Sequence, residues 1–344
     1  MQSTLRSTVR RAITSRGMAR KPIVGGNWKC NPATASSLPE LVSNFDGCAQ
    51  YLDKCDVYVC PSNLHVALVK DSFKPGIKVA PQNCNFGGCG AYTGEMAVDQ
   101  IKDMGMSTVL IGHSERRGEF GLPTPKESNA LMATKLQRAA GAGRRFCGRG
   151  RRRAETRGST SCHVDRPRPV PRTISQACSR PYRRPRHVAA TTRAATARSE
   201  NRYILDQGLA CVFCIGEPLP IREKGIDAVL AECVNQLEDI VPILKALEDK
   251  SRVVIAYEPV WAIGTGVTAS PEQAQETHKG IRDYIAGAVD QKTADEIRIQ
   301  YGGSANAANA PDLSAQPDID GFLVGGASMK PEIADIVAAI SAAK

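Results

Sequence analysis

The sequence predicts a (β/α)8 barrel on three observations. Eight short runs rich in β-branched and other apolar residues recur along the chain, and longer helix-like stretches separate them. Near-continuous apolar runs suit parallel strands covered on both faces, and strands alternating with helices build βαβ units that close when there are eight. Glycines and polar residues also gather at the C-terminal ends of these runs, the face on which barrel enzymes carry their chemistry.

The runs begin near Pro22 (PIVGGNW), Cys55 (CDVYVCP), Ile77 (IKVAPQN), Thr108 (TVLIGH), Ala210 (ACVFCI), Arg252 (RVVIAYE), Ile297 (IRIQYG) and Gly321 (GFLVGG). Their start-to-start separations are 33, 22, 31, 102, 42, 45 and 24 residues. The long separation contains residues 137–201, made of Arg, Ala, Pro, Ser and Thr with few aliphatics and no periodicity. Such a segment cannot bury enough apolar surface to offset its ordering entropy, so it is expected to be a disordered insertion in a single barrel domain spanning 18–344. Its composition is that of translated GC-rich non-coding sequence, with a true disordered insertion as the alternative. Residues 127–136 (ESNALMATKL) read as the start of an amphipathic helix, and Tyr203 to Gln207 before Gly208 as a helix end. The insertion is therefore expected to split one helix in its middle.

Charge is distributed unevenly. The net +10 contains +6 from residues 1–21, where Arg6, Arg10, Arg11, Arg16, Arg20 and Lys21 meet no acid. Residues 137–201 add +14, from seventeen Arg against Glu155, Asp165 and Glu200, which leaves the rest at −10. The overall basicity therefore says nothing about the barrel's partner. Within residues 1–17, Leu5, Val9, Ala12 and Ile13 share one helical face in an acid-free, Arg- and Ser-rich stretch. That pattern resembles an organelle transit peptide, with a disordered basic tail as the alternative. It predicts a mitochondrial protein, or a plastid one, and a cytoplasmic one if translation starts at Met18. No apolar run approaches the ~18 residues of a membrane span. The twelve cysteines lack the spacing of a disulfide framework or zinc site, and a reducing compartment suits them.

The chemistry is read strand end by strand end. After the first run, Asn27 and Lys29 reach the mouth, where a Lys can hold an anion; a solvated lysine is the plain alternative. After the fourth, His113 sits beside a helix N-terminus, whose positive end disfavours imidazolium and leaves a neutral ring able to donate to a carbonyl. After the sixth, Glu258 points into the mouth as a candidate general base, its proton affinity expected to be raised by desolvation. The following AIGTGVTA stretch, 262–269, has glycines between stiffer flanks and suits a lid. The seventh and eighth runs end in YGGS and VGGAS, where glycine lets backbone N–H groups approach a phosphate. Together these suit proton transfer beside a carbonyl on a small phosphorylated substrate, without a cofactor.

GGNWKCN, GHSERR, CIGE, AYEPVWAIGTG, YGGS and LVGGAS, in this order, resemble the triosephosphate isomerase family over residues 20–136 and 203–344. The resemblance implies a TIM barrel that interconverts dihydroxyacetone phosphate and D-glyceraldehyde 3-phosphate in glycolysis and gluconeogenesis, with no cofactor and no metal. It implies that Asn27 and Lys29 contact substrate, that His113 relays protons between the enediolate oxygens, that Glu258 moves the carbon-bound proton, and that Glu115 supports the site. The N–H groups of Gly264, Ser304, Gly325 and Gly326 would hold the phosphate, with lid hinges at 259–261 and 267–269. A homodimer is implied through the 82–95 loop, with Thr93 reaching the partner's site and Cys30 at the interface. Residues 122–126 (LPTPK) lengthen a loop relative to the common form. A different phosphate-binding barrel enzyme is the nearest alternative. Nucleic-acid binding by the Arg-rich segment is not expected, since no aromatics interleave with the Arg.

Overall fold

The computed structural model describes residues 20–118, 127–140 and 208–344. Eight parallel strands form one sheet: β1 (Ile23–Asn27), β2 (Asp56–Cys60), β3 (Lys78–Val79), β4 (Thr108–Ile111), β5 (Ala210–Ile215), β6 (Val253–Tyr257), β7 (Arg298–Tyr301) and β8 (Gly321–Val324). Their order is β3-β2-β1-β8-β7-β6-β5-β4, so the first strand pairs with both the second and the last. β3 and β4 share no ladder, but Leu110 N–H donates to the Pro81 carbonyl at 2.9 Å and brings the two edges together. The barrel is nearly closed, and every run expected to be a strand is one.

Strand periodicity divides the core in two. Side chains of one parity, including Val24, Val57, Val59, Val109, Phe213 and Ile255, pack outward under the helices. Those of the other parity fill the interior: Ile23, Tyr58, Cys60, Leu110, Val212, Cys214, Val254, Ala256 and Leu323. Gly25 shares the inward parity because a Cβ there would lie 1.9 Å from the Tyr58 ring, whose hydroxyl crosses the interior to donate to Gln300 Oε1 at 2.8 Å. The same alternation carries Asn27 and Glu258 to the open end: Asn27 follows Ile23 and Gly25, and Glu258 follows Val254 and Ala256.

One boundary differs from expectation, and one agrees with it. The helix after β4 runs Asn129–Ala140, so residues 137–140 belong to it rather than to an insertion. Met132, Ala133, Leu136 and Ala139 are buried at helical spacing, and the Ala139 carbonyl accepts the Leu209 N–H at 2.8 Å ahead of β5. The described part of the helix is thus continuous through Ala140. Arg20 and Lys21, counted with the basic leader, are parts of the barrel's N-terminal end. Arg20 Nε pairs with Asp320 at 2.7 Å and Lys21 Nζ with Asp56 at 2.9 Å. The expected transit segment 1–17, the longer loop at 122–126, the remainder of the insertion and the helix end at 203–207 lie outside the described residues.

Candidate active site

Lys29 leaves β1 with φ +54°, a left-handed value that costs a side-chain-bearing residue free energy and persists only where its surroundings impose it. The surroundings are explicit. Its N–H donates to Asn27 Oδ1 at 3.0 Å. Gln82 Nε2 donates to the Lys29 carbonyl at 2.7 Å and to the Cys60 carbonyl at 3.0 Å. Its ammonium pairs with Glu115 Oε1 at 2.9 Å. Glu115 thus holds the lysine ammonium. Gln82 was not singled out in the sequence, although a polar residue just past the third strand was a usable signal.

His113 caps the short helix Ser114–Arg117, and its Nδ1 accepts the Glu115 N–H at 3.2 Å. A backbone donor aimed at Nδ1 makes that nitrogen an acceptor, which leaves the ring proton on Nε2. Nε2 lies 3.0 Å from Glu258 Oε1 and donates to it. The Ser114 N–H donates to Glu258 Oε2, also at 3.0 Å. Both side chains are buried.

The expected raised proton affinity of Glu258 is corrected here. Burial alone pushes its carboxyl up, but His113 beside it, the Ser114 N–H and the charge of Lys29 outweigh burial and hold it below the ordinary glutamate range. Desolvation alone raises a carboxyl's proton affinity, but here two donors arrive from the end of β4 and reverse the balance.

A cavity of about 580 Å³ opens here. Asn27, Lys29, His113 and Glu258 line one part; Gly264, Gly266, Gly302, Ser304, Gly325 and Gly326 line another. Every residue assigned to substrate or catalysis is therefore at one mouth. Gly302 serves the base as much as any anion, because a Cβ there would stand 2.9 Å from Glu258 Cγ. Ser304 Oγ donates to the Ala262 carbonyl at 2.5 Å and joins the β7 end to the lid stretch.

In that stretch Gly264 and Gly266 adopt φ +70° and +79°, backbone that favours glycine. Its two flanks are anchored differently. Trp261 Nε1 donates to Glu217 Oε1 at 2.9 Å, and the Tyr257 hydroxyl donates to the same oxygen at 3.1 Å. Burial pushes the Glu217 carboxyl up. At the far flank Ala269 N–H donates to the Tyr301 hydroxyl at 3.2 Å. Glu217, within CIGE, thus fixes the near flank of the 262–269 stretch through Trp261.

Beside the mouth, the 82–95 loop exposes Phe86 and Tyr92, packed edge to face at 5.8 Å, together with Thr93. Leu64 and Leu68 are exposed nearby in sequence at 83% and 62%. Cys30 is exposed. Among the described residues no helix is long and apolar enough to cross a membrane.

Fold and site together define a (β/α)8-barrel enzyme whose mouth sets a carboxylate, an imidazole and a lysine opposite a glycine-rich cradle. A profile of triosephosphate isomerase matches residues 22–147 and 185–340. The triosephosphate isomerase of Coprinopsis cinerea is 40% identical over 93% of this chain and 98% of its own. That of Taenia solium is 37% identical over 93% and 98%, and the cytosolic triosephosphate isomerase of Oryza sativa subsp. japonica is 35% identical over 93% and 97%. The chain belongs to the triosephosphate isomerase family, and is an isomerase of triose phosphate.

Proposed function

We propose that this chain interconverts dihydroxyacetone phosphate and D-glyceraldehyde 3-phosphate through an enediolate, with Glu258 as the base, His113 as the electrophile and Lys29 as the cation over the developing charge. For this family the pairing of a glutamate base with a neutral histidine is long recognised. The observation that carries the assignment is the contact of His113 Nε2–H with Glu258 in a mouth that also holds Lys29. Substrate binding exchanges bonds. The Nε2–H turns from Glu258 to the substrate carbonyl, and Glu258 is released to take a proton from the adjacent carbon. The oxygen-bound proton is relayed through His113, and Glu258 returns its proton to the neighbouring carbon, so no atom is gained or lost. Lys29 and the Nε2–H meet the negative charge as it grows on oxygen, where prearranged donors contribute most. The N–H groups of Gly264, Ser304, Gly325 and Gly326 hold the phosphate, and closure of 262–269 excludes water, which raises the basicity of the freed carboxylate. The test is proton NMR of dihydroxyacetone phosphate incubated with the full chain in D2O. Appearance of the aldehyde isomer with deuterium beside the carbonyl is expected; an unchanged substrate overturns the assignment.

Two further readings belong to this proposal. The exposed apolar side chains Leu64, Leu68, Phe86 and Tyr92 support a homodimer through the 82–95 loop, with Thr93 reaching Asn27 of a second copy. A monomeric mass in analytical ultracentrifugation would refute it. The acid-free leader supports mitochondrial import, and cleavage before Arg20 would keep its bond to Asp320. A reporter fused to residues 1–21 that stayed in the cytoplasm would end that reading.

A further inference from the structure

The charges at the mouth are arranged in a way the proton-transfer chemistry does not explain. Lys29 is 27% exposed, with Glu115 against its ammonium at 2.9 Å. Glu258 contributes a carboxylate to the cavity wall, and Glu332 contributes a second. Among the described residues that line the cavity, one further cation faces an approaching dianion. That cation is Lys330, which also lines the cavity. It directly follows the 3-10 turn Gly326–Met329, whose first residue belongs to the cradle. Its side chain is 69% exposed, and its ammonium stands 3.5 Å from Glu332 Oε1. The other Glu332 oxygen accepts the Ala307 N–H at 3.5 Å, beyond Ser304 on the β7 side. The lysine is thus held at the rim between the two phosphate-binding loops, by a contact longer and wetter than the one that occupies Lys29.

We infer that Lys330 is the steering cation of the mouth: it draws the phosphate dianion into the cradle and is not required for the proton transfer. The inference rests on the phosphate-binding reading of 302–304 and 325–326. The physical basis is that charge at the rim of a low-dielectric cleft raises the local concentration and capture rate of an opposite ion, and that salt screens this action between exposed groups. Lys29, 27% exposed and paired with Glu115, acts at contact distance on the reacting oxygen. Lys330 acts before contact.

The experiment measures kcat and KM for dihydroxyacetone phosphate as ionic strength rises from about 10 mM, where the Debye length is roughly 30 Å, to about 0.5 M. Lys330→Ala is expected to lower kcat/KM about three- to tenfold at low salt, with kcat at saturation held and the difference closing at high salt. Lys330→Glu should deepen the loss and reverse the sign of the salt dependence. Lys330→Arg should restore both. Lys292→Ala, which removes an 82% exposed lysine from the helix Gln291–Glu296 ahead of β7, is the charge-matched control and should leave the slope unchanged. A loss in Lys330→Ala that is the same at every ionic strength, or a fall in kcat, overturns the steering role in favour of direct contact or local structure. An unsubstituted chain that shows no isomerase activity strikes instead at the underlying assignment, so the two failures are distinct.

Discussion

On the side of the mouth formed by the ends of β1, β4 and β6, the chemistry rests on side chains bonded to one another. Lys29 is held by Glu115, His113 by the Glu115 N–H, and Glu258 by His113 and Ser114. On the side formed by β7, β8 and the lid it rests on backbone, where Gly264, Gly266, Gly302, Gly325 and Gly326 bring no side chain at all. The difference teaches where each kind of change should be felt. A cross-linked cluster transmits any alteration to the reacting atoms and so to kcat. A backbone cradle grips substrate and transition state alike, and its damage appears in KM.

The largest effect should follow from Lys29→Ala, which removes the cation nearest the growing charge and leaves Glu115 unopposed. A loss in kcat on the order of 10²–10³ is expected. If KM alone rose, the side-chain half would be a binding device and the comparison would fail. Glu258→Asp retracts the carboxylate by one methylene, and about 10²-fold should be lost from kcat with far-UV circular dichroism unchanged. Gly302→Ala crosses the divide, since its Cβ would press on Glu258 Cγ at 2.9 Å. We expect about a tenfold loss carried by kcat, a smaller displacement of the same base. Gly264→Ala stays on the backbone side. The left-handed φ costs a substituted residue about 1–2 kcal/mol, so about a tenfold loss in kcat/KM is expected, carried by KM. Steady-state kinetics of the pair decides whether the divide is between strands or between backbone and side chain.

The smallest effect on turnover, and a distinct one on stability, belongs to His278, far from the mouth. It is buried between the Tyr257 and Tyr301 rings, with Nδ1 at 3.2 Å from the Asp318 carbonyl and Asp318, Asp320 and Arg282 as its charged neighbours. Burial lowers its pKa from 6.5 to about 4. Below 6.5 the unfolded chain takes up a proton that the folded chain refuses, so stability is full above that pH and falls as pH drops toward 4. The contribution lost is about 3 kcal/mol. His278→Gln should flatten this part of the profile in urea unfolding at pH 7 and 4.5 while kcat is retained. An unchanged acid profile would assign the sensitivity elsewhere.

The limits of sequence reading follow the same line between covalent neighbours and spatial ones. Eight strands, their order and the strand-end positions of Asn27, Lys29, His113 and Glu258 follow from near-continuous apolar runs that suit burial on both faces and from the helical stretches between them. These are local properties, carried by residues within a few positions of one another. What held each group was decided by packing. The low proton affinity of Glu258 depends on donors from β4, more than a hundred residues away in the chain, and the reading from burial alone had the wrong sign. The strained Lys29 needs Gln82 from the end of β3, and Trp261 needs Glu217 from the end of β5. Ser114 acts through its N–H, which every residue but proline carries, so its identity offers no signal. The helix past β4 is helical through Ala140, and its Ala139 carbonyl bonds the Leu209 N–H ahead of β5. Sequence determines which groups can arrive at the mouth, because side-chain direction is set by strand period. Tertiary structure decides their ionisation and their anchors, because both depend on distances that only the closed barrel creates.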